Sequence, residues 1–178
     1  MEIFTDSARQ TQELGQDTAN RLRGGEVLAL TGELGSGKTT FVQGLALGLG
    51  ITQRIISPTF VLMREYGMKR KGESGKGKRL YHVDLYRLEG NLEQEIKNLG
   101  LEDIWSKGEN IVVIEWAEKI AEILPKKRID VTIDIISEGK RRITITPPPS
   151  FPRKRESKNQ ILNQVENDNK MGILDKPE

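Results

Sequence analysis

The run Gly32-Glu33-Leu34-Gly35-Ser36-Gly37-Lys38-Thr39 constrains this chain more than any other stretch. Its spacing is G-x-x-x-x-G-K-[ST]. In such a loop the glycines let the backbone aim consecutive N–H groups at phosphate oxygens, the lysine reaches the outer phosphates, and the hydroxyl takes one magnesium position. The pattern requires a strand before it and a helix after it. Val27-Leu28-Ala29-Leu30-Thr31 is the short apolar run of a buried parallel strand, and Phe41, Val42, Leu45 and Leu49 recur at helical spacing between Thr39 and Leu49. A helix starting there also directs the positive end of its dipole at the phosphates. Glu33, Leu34, Gly35, Ser36, Gly37, Lys38, Thr39 and Thr40 are therefore the expected nucleotide-binding segment, with Lys38 on the outer phosphates and Thr39 on the metal. A glycine-rich turn that binds nothing is the bland alternative, and it leaves the flanks unexplained.

Composition sets the outer bounds. The 178 residues suit one ordinary domain with a tail to spare. No stretch reaches the length of a membrane span, and Glu2 and Asp6 with no apolar run between them do not make a secretory signal, so the expectation is a soluble, cytoplasmic protein. With no cysteine, disulfides and thiolate chemistry are excluded. The formal net charge of +2 is unevenly spread: residues 69–79 hold six basic side chains against one acid, residues 147–178 hold six against five, and the remainder stands at −4. A core of that sign is not the footprint of a protein gripping nucleic acid over a broad face.

Taken in order, Asp6 or Ser7 can cap a first helix with Thr11, Leu14, Thr18 and Leu22 on one face, which Gly24-Gly25 ends. Gly44 and Gly48 permit close approach of a neighbour to the helix after the phosphate loop, and the expected neighbour is the sheet; Gly50 ends that helix. In Ser57-Pro58-Thr59-Phe60, Pro58 shapes a loop leading into a strand from Phe60 to Met63, and Thr59 is either a switch residue sensing the terminal phosphate or part of a plain turn. Residues 67–78, with four glycines and many charges, read as a flexible basic loop joining two antiparallel strands. On a strand from Leu80 to Leu88, His82, Asp84 and Tyr86 share a face. Asp84, at the carboxyl end of such a strand, would point into a nucleotide crevice, while His82 reads as a hydrogen-bonded structural imidazole.

Two short amphipathic helices follow, around Leu92–Leu99 and Leu101–Trp105. Ile111-Val112-Val113-Ile114-Glu115 is then an apolar strand tipped by an acid, the Walker B arrangement, in which Glu115 holds magnesium or polarises the attacking water. Trp116 either lies over the nucleotide or packs in the core. After a helical turn from Ala117 to Leu124, residues 129–135 and 141–146 alternate around Glu138-Gly139 as a closing hairpin. The expected fold class is α/β, a P-loop NTPase over residues 1–147 with a mostly parallel central sheet, flanking helices and antiparallel strands at its edges. Residues 148–178, poor in apolar side chains, read as a disordered tail.

Four strings in this order, 32–40, Ser-Pro-Thr-Phe at 57–60, His-Val-Asp-Leu-Tyr-Arg-Leu at 82–88 and Ile-Glu-Trp-Ala-Glu at 114–118, resemble the small bacterial ATPase family TsaE, also called YjeE. The basic insertion and the tail do not match the family pattern. The resemblance implies ATP binding and hydrolysis with Mg2+ in threonylcarbamoyladenosine modification of tRNA, at the adenosine next to the anticodon. It implies action on the TsaB and TsaD transferase proteins, with tRNA reached only through that complex. The roles it implies are Lys38, Asp84 and Glu115 in catalysis, Thr39 and Glu115 on magnesium, and Trp116 beside the nucleotide. Phosphoryl transfer also needs positive charge on the developing oxyanion, for which Arg87 is the in-chain candidate; without such a group hydrolysis is slow until a partner supplies one. A small-molecule or nucleoside kinase with residues 69–79 as lid, and a nucleotide-gated adaptor with little hydrolysis, are the rival readings. A GTPase would need [NT]-K-x-D, and Asn169-Lys170-Met171-Gly172 lacks the aspartate.

Overall fold

A computed structural model describes residues 1–69 and 77–148. The expected basic loop lies mostly outside them, as does the tail from residue 149 onward. Ser7 caps the first helix, its hydroxyl accepting from the Gln10 N–H at 3.2 Å, a cap that stabilises a helix start by about 1 kcal/mol. In chain order the elements are β1 (Glu2–Thr5), α1 (Ala8–Ala19), β2 (Val27–Thr31), α2 (Lys38–Gly48), β3 (Met63–Gly67), β4 (Arg79–Asp84), α3 (Leu92–Asn98), α4 (Leu101–Ser106), β5 (Ile111–Glu115), a 3₁₀ turn at Ala117–Ile120, β6 (Ile129–Ser137) and β7 (Lys140–Thr146).

The strands form a single sheet in the order β1-β7-β6-β2-β5-β4-β3. The central four run parallel and the pairs β3-β4, β6-β7 and β1-β7 are antiparallel, so the sheet is mixed, with the parallel centre and the antiparallel edges that were expected. Both of its faces are covered. Leu28, Leu30, Val113 and Val131 pack beneath α1 and α2, while Val27, Ala29, Val112 and Ile114 pack beneath α3, α4 and the 3₁₀ turn. Burial on both sides explains why β2 and β5 read as continuous apolar runs instead of alternating.

Five expectations change. β1 was not foreseen: it is a four-residue edge strand held on β7 by pairing such as Ile3 with Ile143, too short for a pattern of its own. Gly44 and Gly48 face α1 and not the sheet; a Cβ on Gly44 would collide with the Gln12 carbonyl, and one on Gly48 would lie 2.6 Å from the Ala19 Cβ. Phe60-Val61-Leu62 is a turn, with Leu62 left-handed at φ 61° and β3 starting only at Met63. β4 stops at Asp84, and Tyr86 sits in a turn where its N–H donates to Asp84 Oδ1 at 2.8 Å. The helical turn after Trp116 is shorter than the span to Leu124.

The helix crossing yields a stability prediction. Gly44→Ala gains helix propensity but drives α1 and α2 apart, and overpacking of this kind outweighs the gain, for a net loss of about 1–3 kcal/mol in chemical denaturation. Gly108→Ala, where a Cβ meets nothing within 4 Å, should change stability by less than about 0.5 kcal/mol.

Candidate functional site

The loop of residues 32–37 spans the gap between the end of β2 and the start of α2. Gly35 and Gly37 take φ 77° and 107°, a region open to glycine at no steric cost, so the backbone doubles back over α2. The first hydrogen bond at the helix start runs from the Phe41 N–H to Gly37 O at 2.9 Å. The N–H groups of Lys38, Thr39 and Thr40 precede it and have no acceptor inside the helix. Three amides and the dipole of an eleven-residue helix thus face one point.

Lys38 is only 5% exposed. Its ammonium donates to Gly32 O at 2.7 Å and Glu33 O at 3.0 Å and lies 3.9 Å from the centre of the Trp116 ring. Burial lowers its pKa below the ordinary 10.5, and the carboxylates of Glu115, Glu118 and Asp84 oppose that shift. Trp116 follows β5 in a left-handed conformation, φ 62°, and its ring stands 5.0 Å from that of Tyr86.

Two acids meet at the strand tips. Parallel pairing of β4 and β5 sets Asp84 opposite Glu115, and both are 3% exposed. Glu115 accepts from the Thr39 hydroxyl at 2.9 and 3.0 Å and from His82 at 2.7 Å. A carboxylate only accepts, so the His82 Nε2 carries the hydrogen; among the described residues its Nδ1 has no hydrogen-bond partner. Asp84 accepts from the hydroxyls of Ser57 and Thr59, the latter at 2.7 Å, and Thr59 also lies 2.8 Å from the Ser57 hydroxyl.

A cleft of about 290 Å³ opens over this cluster, lined by Leu34, Gly35, Gly37, Lys38, Thr39, Thr40, Ser57, Thr59, Asp84, Tyr86, Glu115 and Trp116. Glu33 and Ser36 belong to the loop without lining the cleft. Ser36 is fully buried, and its N–H returns to Glu33 O at 3.1 Å. Arg87 is also elsewhere, its guanidinium stacked 4.2 Å over the Phe60 ring. The donor set fits a polyphosphate with a hard divalent cation: helix-start amides and an ammonium for anionic oxygens, a hydroxyl beside a carboxylate for the metal.

The sequence profile described as "Threonylcarbamoyl adenosine biosynthesis protein TsaE" matches residues 5–143. The chain belongs to the TsaE family. It is 43% identical over 148 residues to the tRNA threonylcarbamoyladenosine biosynthesis protein TsaE of Nostoc sp. (strain PCC 7120), covering 82% of this chain and 85% of that one. To the protein of the same name in Bacillus subtilis it is 38% identical over 142 residues, covering 80% and 82%. The crystal structure of Bacillus subtilis YdiB superposes with a TM-score of 0.65 at 28% identity, covering 95% of each chain.

In this TsaE chain, of the residues the sequence singled out, Leu34, Gly35, Gly37, Lys38, Thr39, Thr40, Thr59, Asp84, Glu115 and Trp116 line one cleft, and the sequence reading missed others near it. Ser57 stands in the same tripeptide as Thr59, and its hydroxyl could have been read with it. Tyr86 was assigned the face of Asp84 but not the cleft. His82 does bear a structural hydrogen bond, although its partner is the strand-tip acid itself. Arg141, which donates to Ser36 O at 2.8 Å and Gly35 O at 3.3 Å, gave no local signal.

The His82 contact is testable without any ligand. His82→Leu deprives a buried carboxylate of a donor, and the variant should unfold about 1–3 kcal/mol more easily in a denaturant titration.

Proposed function

We propose that this chain is a magnesium-dependent ATPase that supports threonylcarbamoyladenosine modification of tRNA. The observation that carries the reading is the hydrogen bond between Thr39 and Glu115, because it joins the hydroxyl of the phosphate loop to the acid at the tip of the neighbouring parallel strand. That juxtaposition supports a P-loop NTPase fold and a metal position between the two side chains. When bound there, magnesium would neutralise charge on the phosphate oxygens.

The chain's own groups then have distinct tasks. The amides of residues 38–40 hold phosphate oxygens, and the Lys38 ammonium exchanges two backbone carbonyls for the outer phosphates. Trp116 and Tyr86 wall the cleft and limit water. Asp84 and Glu115 are the carboxylates able to orient an attacking water. Thr59, tied to Asp84, is the candidate for a switch that reports the terminal phosphate. No arginine lines the cleft among the described residues, which supports slow hydrolysis by the isolated chain.

The family membership and the relatives' names support a place in tRNA modification, and with it TsaB and TsaD as partners in the cytoplasm. Reconstituted modification of tRNA, with and without this chain and ATP, tests the reading. Omission of the chain, or its replacement by Lys38→Ala, should abolish sustained modification; undiminished product in both would refute the role. Glu115→Gln should still bind ATP while phosphate release falls by about 10²–10³-fold. Full modification supported by that variant would instead favour the nucleotide-gated adaptor.

Lys38 also gives the pH dependence a sign. Its pKa is lowered in the free protein and a triphosphate favours the ammonium, so binding is linked to proton uptake in alkaline solution. ATP affinity measured by calorimetry should therefore hold near neutrality and start to fall below the 10.5 of an ordinary lysine.

A further inference from the structure

The loop that would carry the phosphates is braced from outside itself. Gly32, where the loop begins, lies so close to β6 that an added Cβ would collide with the Ile133 carbonyl, and the Thr31 hydroxyl donates to that of Thr132 at 3.0 Å. Farther along, the Arg141 guanidinium spans two successive loop carbonyls, with Nε on Ser36 O at 2.8 Å and Nη2 on Gly35 O at 3.3 Å. Its Nη1 donates to Ser137 O at 3.1 Å and Lys140 O at 3.0 Å, so the same group is anchored in the hairpin. The register shift between Ile135 and Ser137, followed by the turn at Gly139 with φ 76°, sets the direction from which β7 presents it.

We infer that Arg141 is a positioning residue for the phosphate loop. A trans peptide holds its carbonyl and the next N–H on opposite sides. Fixing Gly35 O and Ser36 O on the guanidinium therefore fixes the N–H groups of Ser36 and Gly37. The first is used inside the loop, on Glu33 O; the second belongs to a residue that lines the cleft. Gly37 has no side chain to restrain it, so the hold on its peptide plane comes from β7. The planar fork is what spans two carbonyls, and a lysine ammonium in its place keeps the charge but loses the span.

This inference rests on the ATP reading, and calorimetry with ATP and magnesium tests it on the full chain. Arg141→Lys should bind about 10-fold more weakly than wild type and Arg141→Ala about 10- to 100-fold more weakly, as loss of charge-assisted hydrogen bonds predicts. Arg142→Ala, whose side chain pairs with Asp134 on the exposed face, should bind as wild type. Ethylguanidinium should restore part of the affinity of Arg141→Ala, and ethylammonium should not; a staple serving stability alone would show no such rescue. Wild-type affinity in Arg141→Lys, or no recovery with ethylguanidinium, would overturn the inference. A wild-type chain that takes up no ATP sinks the ATP reading instead. Amide exchange at Gly37 then decides the hold without nucleotide: faster exchange in Arg141→Lys than in wild type supports it, and equal exchange refutes it.

Discussion

The hydrogen bond from Thr39 to Glu115 depends on almost every larger feature of the molecule. It exists because β2 and β5 are parallel neighbours whose carboxyl ends coincide, Leu30 standing opposite Glu115. The loop after β2 therefore opens beside the acid that ends β5. It also requires α2 to begin within one turn of that tip, which the positive φ values of Gly35 and Gly37 allow. A shift of one residue in β5 would turn the acid to the opposite face of the sheet.

Around that bond lies an unusual concentration of buried charge. Lys38, Asp84 and Glu115 are each at most 5% exposed, and isolated burial of such groups costs several kcal/mol apiece. The cost is offset by directed donors and acceptors: two carbonyls and an aromatic face for Lys38, two hydroxyls and an amide for Asp84, a hydroxyl and an imidazole for Glu115. Such a network confers geometry more than stability, since each acceptor holds its side chain to one direction. The same neighbourhood contains Leu62 and Trp116, both non-glycine residues with positive φ. Their backbone strain accompanies the tight turns next to Ser57, Thr59 and Trp116, which line the cleft.

Rigidity reaches the site from two sides. Gly15, Gly44 and Gly48 let α1 and α2 meet backbone to backbone, which ties the helix carrying Lys38 to α1. From the opposite side the β6-β7 hairpin abuts Gly32 and reaches the loop through Arg141. A loop of small residues, pliable when isolated, is thereby held between two packed elements.

The amino-acid sequence by itself determined the parts whose signals are local. The glycine-rich loop at 32–37 with its strand and helix, the acid-tipped strand at 111–115 and the hairpin around Gly139 each carry a period or a fixed spacing, and each formed near its expected bounds. Tertiary structure alone decided which surfaces meet. Whether Gly44 faces helix or sheet, that His82 holds Glu115, that Arg87 stacks on Phe60 while Arg141 grips the loop, and that β1 pairs with β7 all depend on residues remote in sequence. Local periodicity reports which face of an element is apolar. It does not say which partner the topology brings against that face, and here the partner decides both the packing and the chemistry.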